Sequence, residues 1–447
     1  MKTVIYARVI NSVSDEPIEN GMVEIEDDHI VYVGEKREST DSDAQIFDLE
    51  GKTVMPGFID AHAHLCGSES IHKTGDTPYD LLLTTVCDLK DLVDAGVTGV
   101  RDMSAFGASL KRAIEAGLIK GPRIMPGGRV MSISSGHCDM NPMLSPEESN
   151  QRDLIGCLVD GPEDCYRKTR QQFREGAQFI KICATGGVSS AVDDFNDIEF
   201  SPEEIRVIVE EAARHNTYVT AHCTGTEGTK QAIKNGVKCI EHGVLLDEEC
   251  VQMMAEKNIP LVTTLSVSLG LADMKGLPDF MTKKAKALGD ASKHSFALAH
   301  QYGIRVALGT DYSNSPNTPF HEIGKEFYSL TRCGYTNMEA IKAGTINGAY
   351  LMKSDDKFGS LEAGKLADLV VGTAELEGTR MLKIFRLEVD IVVALLREEV
   401  TVDEPRLAGY TLELLGSAID VGNRRPLHDF RIGTFGTLRH FLIFRHS

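Results

Sequence analysis

The stretch Val54-Met55-Pro56-Gly57-Phe58-Ile59-Asp60-Ala61-His62-Ala63-His64 marks a change of texture in the chain. Ahead of it residues alternate in the strand manner. Behind it short apolar strands alternate with amphipathic helices, the pattern of βα units on a parallel sheet. The run closes on two histidines two residues apart. Such residues point the same way on a strand, so both imidazoles can reach one ion while Ala63 faces the other side. Taken alone, the pair is equally well explained by two hydrogen-bonded core histidines.

Upstream, Val23, Ile25, Ile30 and Tyr32 flank the turn-forming Asp27-Asp28 pair, which predicts a hairpin in a small β-rich domain. Downstream, strands are expected over Val97 to Arg101, Phe179 to Cys183 and Tyr218 to Ala221, followed by helices over Leu110 to Ala116, Pro202 to Arg214 and Thr226 to Asn235. Cys239 to Glu241, Leu261 to Thr264 and Val306 to Gly309 repeat the pattern. The repetition predicts an α/β fold: a (β/α)8 TIM-type barrel, with an open doubly wound sheet as the alternative that shares the pattern. A barrel of ~250 residues plus one smaller domain accounts for a chain of 447. The barrel is placed at 56–355. A smaller β-sandwich domain is assigned to 1–55 together with about 356–447, because the phrase Gly359 to Val371 supplies turn residues and then a buried strand able to return to the N-terminal strands. Within it, 372–422 is atypical and shows no clear period.

The formal charge of −19, from 66 acidic and 47 basic residues, sets up a field that repels phosphate backbones and anionic lipid, so neither nucleic acid nor membrane is expected as a partner. Ten cysteines are scattered singly with no CxxC pair, which fits reduced thiols. No window of about 20 apolar residues could span a bilayer, and the first residues lack the apolar core of a leader. The expected location is cytoplasmic.

Further candidates stand at the C-terminal ends of predicted strands: Lys181 after Gln178-Phe179-Ile180, His222 after Tyr218 to Ala221, His242 after Cys239 to Glu241, and Asp311 after Ala307 to Thr310. In a (β/α)8 barrel those ends share one face, where the reacting groups sit. Singly, each has an ordinary explanation: a lysine at a strand exit, satisfied core histidines, an aspartate capping a helix. Six ligand-type residues at strand ends are hard to obtain by accident.

The strings Val54 to His64, Ile180-Lys181-Ile182-Cys183-Ala184-Thr185-Gly186-Gly187-Val188, Ala221-His222, Glu241-His242-Gly243 and Gly309-Thr310-Asp311 resemble the amidohydrolase superfamily from about residue 20 to 371. Within it they are similar to the imidazolonepropionase-like and prolidase-like branch, with its dipeptidases, carboxypeptidases and ochratoxin-hydrolysing amidases. The resemblance implies two divalent metal ions, zinc by preference: His62, His64 and Asp311 on the more buried one, His222 and His242 on the other, and Lys181, carboxylated on its amine, bridging both. A free ammonium cannot ligate a cation, whereas a carbamate offers two anionic oxygens. The implied reaction is hydrolysis of an amide bond in a dipeptide or N-acyl amino acid, with Asp311 moving the proton. Cyclic amide or imidazolone hydrolysis is the alternative, and a non-catalytic scaffold on the same fold a third. His137, in Ser134-Ser135-Gly136-His137-Cys138-Asp139, matches a His-bearing loop of that branch and is a candidate substrate contact. A homo-oligomer is a further expectation of the resemblance.

The chain departs from that branch in two places. Cys223-Thr224 follows His222 where relatives often carry other pocket residues, including a tyrosine. The phrase Arg425-Pro426-Leu427-His428-Asp429-Phe430 comes roughly fifty residues later than usual after Asp368-Leu369-Val370-Val371, far beyond ordinary loop lengths. The apolar run Ile391 to Leu396 within that interval is expected to bury against something. Gly186-Gly187 lacks the lysine and spacing of a phosphate loop and is read as close backbone approach near the metals. His294, His300 and His321 are given no role.

Overall fold

The computed structural model describes residues 2–38, 42–66, 77–372 and 391–393. Arg425 to Phe430, Leu396 and most of 372–422 lie outside the described residues.

Four N-terminal strands, β1 (Lys2–Val9), β2 (Ile18–Glu26), β3 (His29–Glu35) and β4 (Gln45–Pro56), start the chain. The β2–β3 hairpin turns at Asp27, whose φ of 56° is one that aspartate tolerates. The two parallel sheets that follow use β5 (Phe58–Ala63), β6 (Val97–Asp102) and β7 (Arg123–Pro126) in one, and β8 (Val130–Ser132), β9 (Gly156–Leu158), β10 (Ile180–Cys183), β11 (Val219–Cys223), β12 (Cys239–His242), β13 (Leu261–Val262) and β14 (Val306–Ala307) in the other. Their orders are β5-β6-β7 and β14-β13-β12-β11-β10-β8-β9. The last strands, β15 (Leu369–Gly372) and β16 (Ile391–Val393), join the N-terminal sheet in the order β16-β15-β4-β1-β2-β3. The strand expected to return does so: Val370 faces Met55 antiparallel on β4. Its side chains pack with Ile5, Val23, Ile25 and Val54 in one apolar cluster.

Backbone hydrogen bonds link the two parallel sheets in two places, between β7 and the segment entering β10 and between β5 and the segment leaving β14. The Gln178 N–H donates to Pro126 O (2.7 Å), Ala61 N–H to Leu308 O (2.8 Å) and Asp311 N–H to His62 O (2.7 Å). These links tie the end of the β14 segment to β5, and so fix Asp311 against the His62–His64 pair.

Helix starts follow from local chemistry. Ser201 accepts from Glu204 N while Glu204 reaches back to the Ser201 N–H, and Pro202 supplies a first-turn φ with no N–H to satisfy, so Pro202–Arg214 begins where the sequence places it. Ile205, Ile208 and Ala212 form its buried stripe. Lys181 is displaced from the position expected of it. It is the second residue of β10, because Ile182 and Cys183 continue the ladder against Ala221 and His222. Thr264 and Gly309 fall outside the strands expected to contain them. Thr264 has turned to φ 65°, ending the β13 ladder at Val262.

Candidate metal centre

His62 and His64 project from the end of β5 and Asp311 from the segment after β14. Among the described residues, these three form one grouping whose ligand atoms all lie within 4.8 Å of one another. His62 Nε2 stands 3.3 Å and His64 Nε2 3.0 Å from Asp311 Oδ1. The opposite ring nitrogens show what these contacts mean. His62 Nδ1 is 2.8 Å from Glu241 Oε2, and His64 Nδ1 is 3.0 Å from Met103 O. Neither the carbonyl nor an ionised Glu241 can donate, so each Nδ1 carries the proton. Both Nε2 atoms then face one carboxylate oxygen, an arrangement made attractive by a proton on Nε2, which Asp311 favours at His64, or by a shared cation in its place. Nitrogen and oxygen atoms ~3 Å apart are spaced as neighbouring ligands of an ion ~2 Å from each. The donor set fits a divalent metal.

Charge supports the same reading. Burial works to raise the Asp311 carboxyl, but His62 and His64 outweigh it and hold it well below the usual carboxylate range. Burial, aided by neighbouring His137 and Lys181, pushes His222 well below its usual range; burial and His62 do the same for His242. Both are therefore neutral imidazoles, the form that ligates. The His222 and His242 rings are 4.5 Å apart, and His242 is 4.9 Å from His62. His242 Nδ1 meets Thr264 Oγ1 at 2.8 Å.

Lys181 completes the surroundings. In the β10–β11 ladder Lys181 pairs with Thr220 and Cys183 with His222, which puts Lys181 on the His222 face of the sheet. Its charge acts on His64, His222, His242 and Glu241. It is 2% exposed, and no hydrogen bond or ion pair to it is found among the described residues. A buried ammonium in that condition is costly.

His137 reaches the same place from the loop after β8 and stacks on His222 at 4.2 Å. Gly187 makes a close backbone approach here: a Cβ on it would lie 2.4 Å from the His137 ring. Backbone strain gathers here too. His242 (φ 68°), Thr264 (φ 65°) and Asp311 (φ 62°) adopt left-handed conformations, and Thr264 is β-branched, where such a φ is a true outlier.

The sequence did not point to the support beneath. Glu241, fully buried, bonds His62 on one side and the Arg101 guanidinium and Thr220 hydroxyl on the other. Arg101, also fully buried, donates to Ala61 O (2.7 Å) and to the Tyr218 hydroxyl (3.0 Å). Burial opposes ionisation of Glu241, yet Arg101 and His62 hold it well below the carboxylate range. This carboxylate fixes the His62 tautomer and ring. Glu241→Gln would leave Arg101 buried without a counter-charge. It is expected to cost about 3–5 kcal/mol of stability and to weaken metal retention ~10–100-fold, read by denaturant melts and metal titration. Unchanged metal affinity would remove the orienting role from Glu241.

The chain belongs to the amidohydrolase family, whose sequence model matches residues 53–393. It is 33% identical over 396 residues to an ochratoxinase from Aspergillus niger, covering 82% of this chain and 80% of that one. It is 24% identical over 388 residues to an imidazolonepropionase from Sphingopyxis alaskensis, covering 79% and 86%. The structure of a prolidase complexed with N-methylphosphonate-L-proline superposes with a TM-score of 0.78 at 30% identity, covering 86% of this chain and 95% of that chain. The family expected from the sequence is the family found. The protein is a hydrolase acting on amide bonds, in a family that generally uses divalent metal ions.

Proposed function

We propose that the protein is a binuclear metal-dependent amidohydrolase cleaving the amide bond of a dipeptide or N-acyl amino acid. The observation that carries this is the convergence of His62, His64 and Asp311 beside His222, His242 and Lys181. The first three would hold one ion and the two further histidines the other. Lys181, carboxylated on Nζ, would bridge them. That modification turns a buried cation lacking a partner into an anionic ligand, and zinc suits the mixed nitrogen and oxygen donors. When bound, the ions activate a water and polarise the scissile carbonyl. Asp311 takes the proton of the attacking water and returns it to the leaving amine. Being ionised at the histidine pair leaves it free to accept, and its weak hold on a proton suits the return to the leaving amine. His137 contacts the substrate's carbonyl or carboxylate from beside His222.

The same reading treats β5, β6, β7 with β8, and β10 to β14 as one closed (β/α)8 barrel over 56–355, supported by the backbone links from β7 to the segment before β10 and from β5 to the segment after β14. The N-terminal strands with 356–447 form the smaller β-sandwich domain. The scatter of ten single cysteines with no CxxC pair supports a reducing cytoplasmic setting, and no helix among the described residues is long and apolar enough to cross a membrane. A homo-oligomer completes the proposal.

Hydrolysis of a cyclic amide is the second reading, favoured by the likeness to imidazolonepropionase. A panel of dipeptides, N-acyl amino acids and cyclic amides, assayed with metal-replete and chelator-stripped protein, separates the two. The expected result is hydrolysis of linear amides bearing a free carboxylate, lost on chelation and restored by metal. Turnover confined to cyclic amides, or surviving chelation, would contradict it.

A further inference from the structure

Lys284 lies on the helix Asp279–Leu288, in the excursion between β13 and β14. It does not point to water. Its ammonium donates to Gly187 O (2.9 Å), Ser190 O (2.8 Å) and Asp193 O (2.6 Å) and pairs with Asp193 Oδ1 (2.7 Å). All four acceptors belong to the excursion after β10. In the sheet, β11 and β12 stand between β10 and β13, and they carry His222 and His242. One lysine therefore ties together two loops from either side of the strands that bear these histidines.

Asp193 hands the constraint on. Its side chain is 1% exposed; Oδ2 accepts from the Gly187 N–H (2.7 Å) and meets His137 Nδ1 at 3.1 Å. The other edge of the ring, Nε2, lies 3.1 Å from Ser189 Oγ. The His137 backbone is held from the same excursion, its N–H donating to Glu199 Oε1 at 2.6 Å. The ring is packed between the bare backbone of Gly187 and the face of His222. A surface ion pair contributes little, but a carboxylate this deeply buried, with every contact directed, fixes geometry.

We propose that Lys284 and Asp193 are positioning residues for substrate binding: Lys284 clasps the 186–193 loop and orients Asp193, which fixes the ring of His137. The inference rests on the reading that His137 contacts the substrate. A side chain displaced by a fraction of an ångström loses an oriented hydrogen bond, so the effect falls on substrate affinity and leaves metal binding alone.

The test uses full-length, metal-loaded Lys284→Met, with Lys284→Gln as a second variant should the first fold poorly. Hydrogen exchange is expected to speed up about tenfold or more in peptides covering both 134–139 and 186–193. Faster exchange confined to 279–288 would overturn the clasp, whatever the activity. With the best substrate from a dipeptide and N-acyl amino acid panel, KM is expected to rise about tenfold, with kcat changing less and metal content unchanged. Combined with His137→Ala, the Lys284 change should add nothing further; additive losses would overturn action through His137. A His137→Ala variant with wild-type KM would defeat the reading of His137 itself, and the exchange result would still decide the clasp.

Discussion

Asp311→Asn is expected to reduce kcat by about 10²–10⁴-fold with the fold intact. The side chain keeps its volume and its place after β14, where the Asp311 N–H remains bonded to His62 O. It loses the anionic oxygen that stands 3.0–3.3 Å from the two Nε2 atoms, and with it any capacity to take a proton. The variant should bind metal more weakly, so kcat is to be measured after saturating with metal. Steady-state kinetics across a metal titration separates the two losses. Recovery of wild-type turnover at high metal would show that Asp311 is a ligand and no base. Wild-type turnover without added metal would remove it from both roles.

Lys181→Met is expected to lower activity by more than the ~10–100-fold that loss of an outer-shell partner costs, because the proposed bridging ligand would disappear directly. The paired expectation concerns stability, and its sign is the informative part. If Lys181 were an ordinary structural cation, Met would destabilise the fold. Here the lysine is buried without a hydrogen-bond or ion-pair partner among the described residues, so replacing it with an apolar chain of similar length removes a desolvation cost. Metal-free Lys181→Met should melt at or above the temperature of metal-free wild type, while the metal-loaded variant gains less from metal than wild type does. Scanning calorimetry with and without chelator reads both. A large drop in the melting temperature of the metal-free variant would show that Lys181 serves the fold.

Much of this was legible because two signals are local. Helix Pro202–Arg214 begins and ends where the sequence places it, since Ser201, Pro202 and Glu204 satisfy its first turn within four residues. The candidate ligands were legible because each lies in or just after a short apolar strand, although Lys181 and His222 fall inside their strands and not after them. What the sequence hides is convergence. Glu241 sits in plain view beside His242, yet its task depends on Arg101, 140 residues away, and on His62, 179 residues away. Nothing periodic marks Lys284, Asp193 or Glu199, because Asp193 and Glu199 meet His137, and Lys284 meets Asp193, only after separate loops have folded over the strand ends. Strand lengths were misjudged for a related reason. β13 stops at Val262 because Thr264 turns left-handed to bond His242, a tertiary demand that overrides the strand preference of a β-branched residue.

Whether two ions share this cluster through Lys181, as proposed, is decided by anomalous diffraction from crystals of metal-replete protein, measured at the absorption edge of zinc. Two peaks are expected, one among His62, His64 and Asp311, the other at His222 and His242, with density for a carboxylated Lys181 joining them. A metal-free cluster, or a single ion with Lys181 remaining a plain amine turned away from His222, would contradict the proposal.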